Sequence, residues 1–320
     1  MVRAALVAAL ALLVVPPSAP GATDATGAEL LARYEPVLVL HTAERFTPVA
    51  VDGFLQSAQL EERLPGGGWS GAPMSLPTTD PPGCTERPCW RLRFPGCSAG
   101  TGMAQVDCYA AAPAAVSGPA VYGAALRRAG RIALQYWYWY ADDFWSGRYP
   151  PSDEVWQAHE GDWEVVTVVL TVRGAPLFTG YSQHECGKRR AWSRVPKSGT
   201  HPIAYVALGS HANYYAPGAQ PLDLREQCYD PVGAAILRAD LGGVVLDRLG
   251  GGKRLARLPI VLLTPRAPAW LAFPGAWGEA NLFHAPDPVN TRVAGAGPLG
   301  PRFHAVWRDP VGTVLRWPTG

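Results

Sequence analysis

The chain has 320 residues, 17% of them charged and 48% hydrophobic, with 35 glycines, 32 prolines and 12 tryptophans. That hydrophobic share excludes a wholly disordered chain, and the Gly and Pro content suits a loop-rich sheet protein better than a helical one. With 28 Lys and Arg against 26 Asp and Glu, the charge balance is too even to favour a nucleic-acid partner.

At the start, Arg3, the apolar run from Ala4 to Val15 and the pair Pro16-Pro17 have the make-up of a secretory signal peptide over positions 1–22. The run is shorter than the roughly 17 to 25 residues of a membrane-spanning helix. Nothing downstream reaches that length, so no transmembrane segment is expected. Positions 23–320 are expected to form one secreted β-sandwich domain. Val37-Leu38-Val39-Leu40 reads as a short buried strand, and Asp52 as the N-cap of a weak helix with Phe54, Leu55, Ala58 and Leu64 on one face. Positions 65–120 are rich in Gly, Pro, Ser and Cys and read as an irregular, disulfide-stapled insertion. Six cysteines in an exported chain are expected to pair, Cys186 with Cys228 and the cluster Cys84, Cys89, Cys97 and Cys108 within itself.

Strand signals follow. Arg131 to Tyr140 alternates Ile132, Leu134, Tyr136, Tyr138 and Tyr140 on one face with Trp137 and Trp139 on the other. Those aromatics are read as core in preference to a sugar-stacking platform. Asp162–Val172, Leu177–Ser182 and His201–Leu208 have similar β-branched and aromatic bias. Val232–Leu249 reads as a helix broken at Gly242-Gly243, and the chain from Pro286 onward as an irregular wrapping tail. The fold class expected is mainly β, an antiparallel sandwich with long loops and a few short helices.

Chemistry concentrates in His159-Glu160-Gly161-Asp162-Trp163-Glu164. On a strand, Asp162 and Glu164 project side by side. Two adjacent carboxylates raise each other's pKa, so either a cation neutralises them or they face water. His159 supplies an imidazole ahead of them, and the mixed set suits Zn, Mn, Fe or a partly hydrated Mg or Ca. Asp142 and Asp143 end the aromatic strand, and Gly209-Ser210-His211-Ala212-Asn213 ends another. Neighbouring strand ends would bring these groups to one rim, with His211 and His184 as further ligands or acid/base groups.

The segments RYEPVLVLHTAERFTPVAVDGFL, QYWYWYADD, HEGDWEVVTV, GYSQHECGKRRAW and HPIAYVALGSHANYY, in this order, resemble the vacuolar protein sorting-associated protein 62 related family, especially its bacterial secreted branch. They cover positions 33 to 215 in patches. More distantly, HEGDWE resembles the Gly-His-Arg-His-Asp-Trp-Glu motif of the necrosis-inducing cytolysin family, over the motif and its preceding aromatic strand alone. That resemblance implies a divalent cation held by His159, Asp162 and Glu164, with Asp142 or Asp143 as the upstream acid, beside a glycosphingolipid head-group site. The motif's leading Gly is Ala158 here, its Arg is Glu160 and its second His is Gly161, so toxicity is not implied. The function expected is a secreted divalent-metal protein (Ca, Mg, Mn or Zn) that binds a glycan or polar lipid head group. The alternative is a metal-assisted hydrolase using His211 or His184.

Overall fold

The computed structural model describes residues 26–97, 103–112, 116–148, 154–184, 186–221, 246–264, 266–279, 282–284 and 297–320. The fold is mainly β with a few short helices. At its centre an aromatic strand, Arg131–Arg148, pairs antiparallel with an acidic strand, Glu154–Thr171. Both run further than their apolar alternation, because backbone pairing continues through Asp142, Asp143, His159 and Glu160 after the hydrophobic pattern has stopped. Val121–Arg128 flanks the pair on one side, and Pro176–Gln183 followed by Cys186–Ala191 on the other, inside a nine-stranded sheet.

Alternation along the aromatic strand buries both faces of this sheet. Tyr136, Tyr138 and Tyr140 face a smaller sheet in which Val37–Leu40 and His201–Val206 run parallel. Tyr136 Oη donates to Leu31 O at 2.9 Å, and Tyr181 Oη, from the neighbouring strand, to Ile203 O at 3.0 Å. The opposite face carries Trp139 and Trp163. Ring centres lie 5.0 Å apart for Trp139 and Phe54, and 5.4 Å for Trp163 and Trp277. Trp277 belongs to a third sheet, ordered Ala276–Trp277, Trp90–Arg93, Gln59–Arg63, Trp69–Ala72. These aromatics are core, as the alternation predicts.

Parallel pairs occur where an antiparallel sandwich is expected: Val37–Leu40 with His201–Val206, Val121–Arg128 with Ile260–Leu262, and Ala276–Trp277 with Trp90–Arg93. Each joins strands far apart in the chain, where no tight hairpin imposes antiparallel pairing. The helix predicted from Asp52 spans Asp52–Ser57, with Asp52 inside its first turn and Val51, which makes no side-chain cap, at the N-cap position. Ala58 turns extended and the chain enters Gln59–Arg63, so Leu64 lies past the helix and is exposed. Positions 65–120 carry the strands Trp69–Ala72 and Trp90–Arg93 and the helix Met103–Ala111, stapled by Cys84–Cys89 and Cys97–Cys108. Cys186 is also disulfide-bonded, whereas Cys228 lies outside the described residues. So do positions 1–22 and most of the broken helix expected over 232–249; Leu246–Leu249 is a strand, paired with Gly218–Pro221. Residues 297–320 end in a helix, Pro310–Arg316, capped by Asp309. Val314 presses on Gly180 and Trp317 on Gly187, where an added Cβ would lie 2.6 Å from Val314 and from Trp317, respectively. No helix among the described residues is long and apolar enough to cross a membrane.

Candidate metal centre

Cross-strand register sets the site. Tyr140 opposes Asp162, Tyr138 opposes Glu164, and Asp143 opposes His159. Simple alternation would send His159 and Asp162, three residues apart, to opposite faces. Gly161 breaks that alternation with φ +64, a conformation glycine adopts without a side-chain clash. A Cβ there would lie 2.2 Å from Trp277 O. The kink brings His159 to the Asp162 side and turns Glu160 toward the third sheet, where its carboxylate accepts from Phe94 N and, at 3.0 Å, from Glu279 N.

One ligand atom from each of Asp143, His159 and Asp162 lies within 4.8 Å of the others. His159 Nε2 is 3.1 Å from Asp143 Oδ2, and its Nδ1 is 2.6 Å from Gly161 O. A backbone carbonyl taking the Nδ1 proton leaves Nε2 as the metal-binding nitrogen, a common support for histidine ligands. Asp143 Oδ1 is buried without a hydrogen-bond partner among the described residues. Burial raises the Asp143 carboxyl above its ordinary range. For His159 burial acts downward, but Asp143, the Asp162 charge and Gly161 O outweigh it and the imidazole is pushed up to about 9. Two carboxylates and an imidazole on one spot, with a carboxylate oxygen to spare, fit a divalent cation in place of the histidine proton.

The other predicted residues stand around this trio. Glu164, next along the same face, accepts from Ser182 Oγ and, at 3.3 Å, from Asn213 Nδ2. Burial and then the Asp162 charge push its carboxyl well above the usual range. Asp142 is fully buried beyond the kink, where its charge acts on Glu160 and Tyr109. His211 Nδ1 is 3.0 Å from Asp162 Oδ2 and its Nε2 is 3.6 Å from Glu44 Oε1, with the ring stacked 3.8 Å from Tyr140. Burial would lower this imidazole, yet Glu44 and Asp162 push it up to about 10. His184 Nε2 is 2.9 Å from Asp247 Oδ2. The structure thus brings Asp143, His159 and Asp162 together, sets Glu164 and His211 directly behind them, and attaches His184 to a separate carboxylate.

Two participants, Glu44 and Asp247, were not among the predicted residues. Glu44 follows the strand Val37–Leu40, and His211 follows its parallel neighbour His201–Val206, so both loops leave the same end of that sheet. Parallel pairing was the missing signal. Asp247 lies in the segment read as helix, and nothing in its sequence neighbourhood marks it.

No protein-family model matches the chain, and no curated protein matches it. The resemblance to the vacuolar protein sorting-associated protein 62 related family therefore rests on the quoted segments alone. Among solved structures the chain is similar to the non-toxic HaNLP3 protein, at 13% identity over 78% of this chain and 80% of that one, with a TM-score of 0.35. It is similar to NLPPya in complex with mannosamine at 16% identity over 62% and 72%, TM-score 0.32. It is similar to Necrosis and Ethylene inducing Protein 2 from the causal agent of cocoa's Witches Broom disease at 14% identity over 75% and 76%, TM-score 0.30. These neighbours are necrosis- and ethylene-inducing proteins, the kind whose motif HEGDWE resembles. At such similarity their activities remain statements about those proteins.

Proposed function

We propose that this chain is an exported protein that holds a divalent cation on Asp143, His159 and Asp162 and offers it to oxygen atoms of a glycan or polar lipid head group. The observation that carries the reading is the convergence of these three donors on one spot, across a kink at Gly161 that no alternating strand would make. Bound there, a divalent cation supplies Lewis-acidic positions for ligand oxygens. Glu164, held by Ser182 and Asn213, and His211, held between Asp162 and Glu44, keep the ligand carboxylates in place from behind. Disulfides at Cys84–Cys89 and Cys97–Cys108 suit the oxidising compartment to which the expected leader would direct the chain.

Binding is favoured over hydrolysis through His211. A hydrolase built on His211 needs that imidazole to reach a bound water, but both ring nitrogens face carboxylates and the side chain is fully buried. The test is elemental analysis with calcium, magnesium, manganese and zinc titration of the mature protein beside an Asp162→Ala/Glu164→Ala double variant. One cation per chain in the parent, lost in the double variant, is the expected result. A folded, disulfide-intact parent that takes up no metal at millimolar concentration would overturn the reading.

A further inference from the structure

A second polar cluster is built on Asp247, which lies on the strand Leu246–Leu249 and is fully buried. Oδ1 accepts from Trp145 Nε1 at 2.7 Å and from Ser210 Oγ at 3.2 Å. Oδ2 accepts from Tyr214 Oη and faces His184 Nε2 at 2.9 Å. These partners fill the roughly four acceptor sites of a carboxylate, so Asp247 has none to offer a cation. The partners instead lie on separate segments: the aromatic strand, the end of Pro176–Gln183, and the hairpin that joins His201–Val206 to Asn213–Tyr214.

The contacts on Oδ1 lead straight to the cation site. Ser210 precedes His211, whose Nδ1 is 3.0 Å from Asp162 Oδ2. Trp145 lies two residues beyond Asp143, so both share one face of the aromatic strand. The hairpin also meets that strand directly: Phe144 N donates to Gly209 O at 3.3 Å, and a Cβ on Gly209 would run into Phe144 O. Its tip is conformationally costly. Gly209 has φ +80 and His211 φ +52, a left-handed backbone that a non-glycine residue keeps where its surroundings hold it. Backbone bonds close the base of the hairpin, from Ala207 N to Ala212 O at 2.9 Å, and tie it to the Asp247 strand, from Leu208 N to Arg248 O at 3.0 Å. At the tip, Glu44 accepts from Gly209 N at 2.8 Å and Asp247 accepts from the Ser210 hydroxyl.

We propose that Asp247 is a positioning residue of the cation site: by holding Ser210 and Trp145 on one oxygen, it sets the His211 hairpin against the strand that carries Asp143. The inference rests on the cation reading above and adds the residue that joins the two sides of that site. Oδ1 is the joint, because a single atom accepts from both segments. If the tip shifts, His211 shifts with it, and Asp162 loses the imidazole that fixes its carboxylate relative to Asp143 and His159. Groups that orient metal ligands from behind change metal affinity strongly, since a carboxylate slightly out of place no longer completes the coordination. On the other oxygen, Tyr214 and His184 hold Asp247 itself in place.

The experiment titrates the full, disulfide-intact protein calorimetrically with whichever of calcium, magnesium, manganese or zinc the parent retains. Asp247→Asn, Ser210→Ala, Trp145→Phe and the double variant Asp247→Asn/Ser210→Ala are titrated beside it, and each is unfolded in urea. Val311→Ala is the control for stability alone, because Val311 packs on Ala133 and Val169, at the far end of the aromatic strand from Asp143. Ser210→Ala and Trp145→Phe, each short of one hydrogen bond, are expected to bind the cation about threefold more weakly. Asp247→Asn is expected to bind about tenfold more weakly or worse, and Val311→Ala as tightly as the parent. In the double variant the loss should equal that of Asp247→Asn, since the Ser210 contact acts through the same carboxylate. Parent-like affinity in Asp247→Asn, additive losses in the double variant, or an affinity that falls in Val311→Ala in step with its stability would each overturn the assignment and leave the cation reading intact. A parent that retains no cation overturns both. Should Asp247→Asn fail to fold, Ser210→Ala and Trp145→Phe decide, and unchanged affinity in either sinks the proposal.

Discussion

His211 occupies a position that few histidines tolerate. Its side chain is fully buried, its ring is stacked on Tyr140, and its nitrogens face Asp162 on one side and Glu44 on the other. Glu44 also accepts from the backbone of Gly209, and although burial pushes its carboxyl upward, His211 and these hydrogen bonds bring it below the ordinary range. Both partners thus favour the ionised pair. Removing one member of a buried pair leaves the other uncompensated, so His211→Ala is expected to cost about 3 to 5 kcal/mol, read by urea unfolding of the metal-free protein. The pH dependence has a definite sign. The folded imidazole titrates at about 10 against 6.5 for an unperturbed histidine, so its stabilisation is complete below about pH 6.5 and is lost as pH rises through about 10. The metal-free parent should lose stability over that alkaline window, and His211→Ala should lack this contribution. Equal alkaline slopes in the two proteins would show that His211 is not charged in the fold.

At the scale of the strand, one glycine decides what the acidic strand can do. Gly161→Ala forces a Cβ to within 2.2 Å of Trp277 O and places alanine at φ +64. The left-handed backbone alone costs about 1 to 2 kcal/mol, and the backbone contact adds to it. Relief by straightening the strand would rotate His159 away from Asp162. The variant is therefore expected to lose at least about 2 kcal/mol in denaturant unfolding and at least about tenfold in metal affinity, two readouts that move together only if the kink builds the site. Unchanged metal affinity in a folded Gly161→Ala protein would separate the two and sink the idea. The same kink marks the limit of what the sequence makes legible. Period-two counting finds the aromatic strand, its two-faced core and the shared face of Asp162 and Glu164, because those depend on local alternation. It treats His159 as lying ahead of the strand, since a count of two has no place for a residue whose face is switched by backbone conformation. Continued past Tyr140, the same count puts Asp142 and not Asp143 on the face that Asp162 opposes, and only the structure pairs Asp143 with His159. Glu44 and Asp247 depend on pairings between distant segments, which no local pattern carries.

The three layers of the whole molecule explain why the acidic strand is chemically unusual. In a two-layer sandwich one face of a strand meets water and its carboxylates are solvated. Here the central sheet is covered by tyrosine-side and tryptophan-side layers, so Asp143, Asp162 and Glu164 are each less than a tenth exposed. Hydrogen bonds and imidazoles compensate part of that desolvation, and Asp143 Oδ1 has no hydrogen-bond partner among the described residues. A cation that binds this arrangement and not the unfolded chain must raise global stability by mass action. At a concentration about 100 times its dissociation constant the increment is about 2.7 kcal/mol. For a domain of this size that corresponds to a rise of roughly 4 °C in the melting temperature. Asp143→Ala removes a ligand from the aromatic strand without touching His211 or Glu164, so it should abolish the increment and leave those supports in place. Calorimetric melting of parent and variant, each with and without saturating cation, reads this directly. A parent that melts at the same temperature in both conditions would mean that its layers compensate the buried carboxylates by themselves. A rise equal in parent and Asp143→Ala would instead place the stabilising cation elsewhere on the molecule.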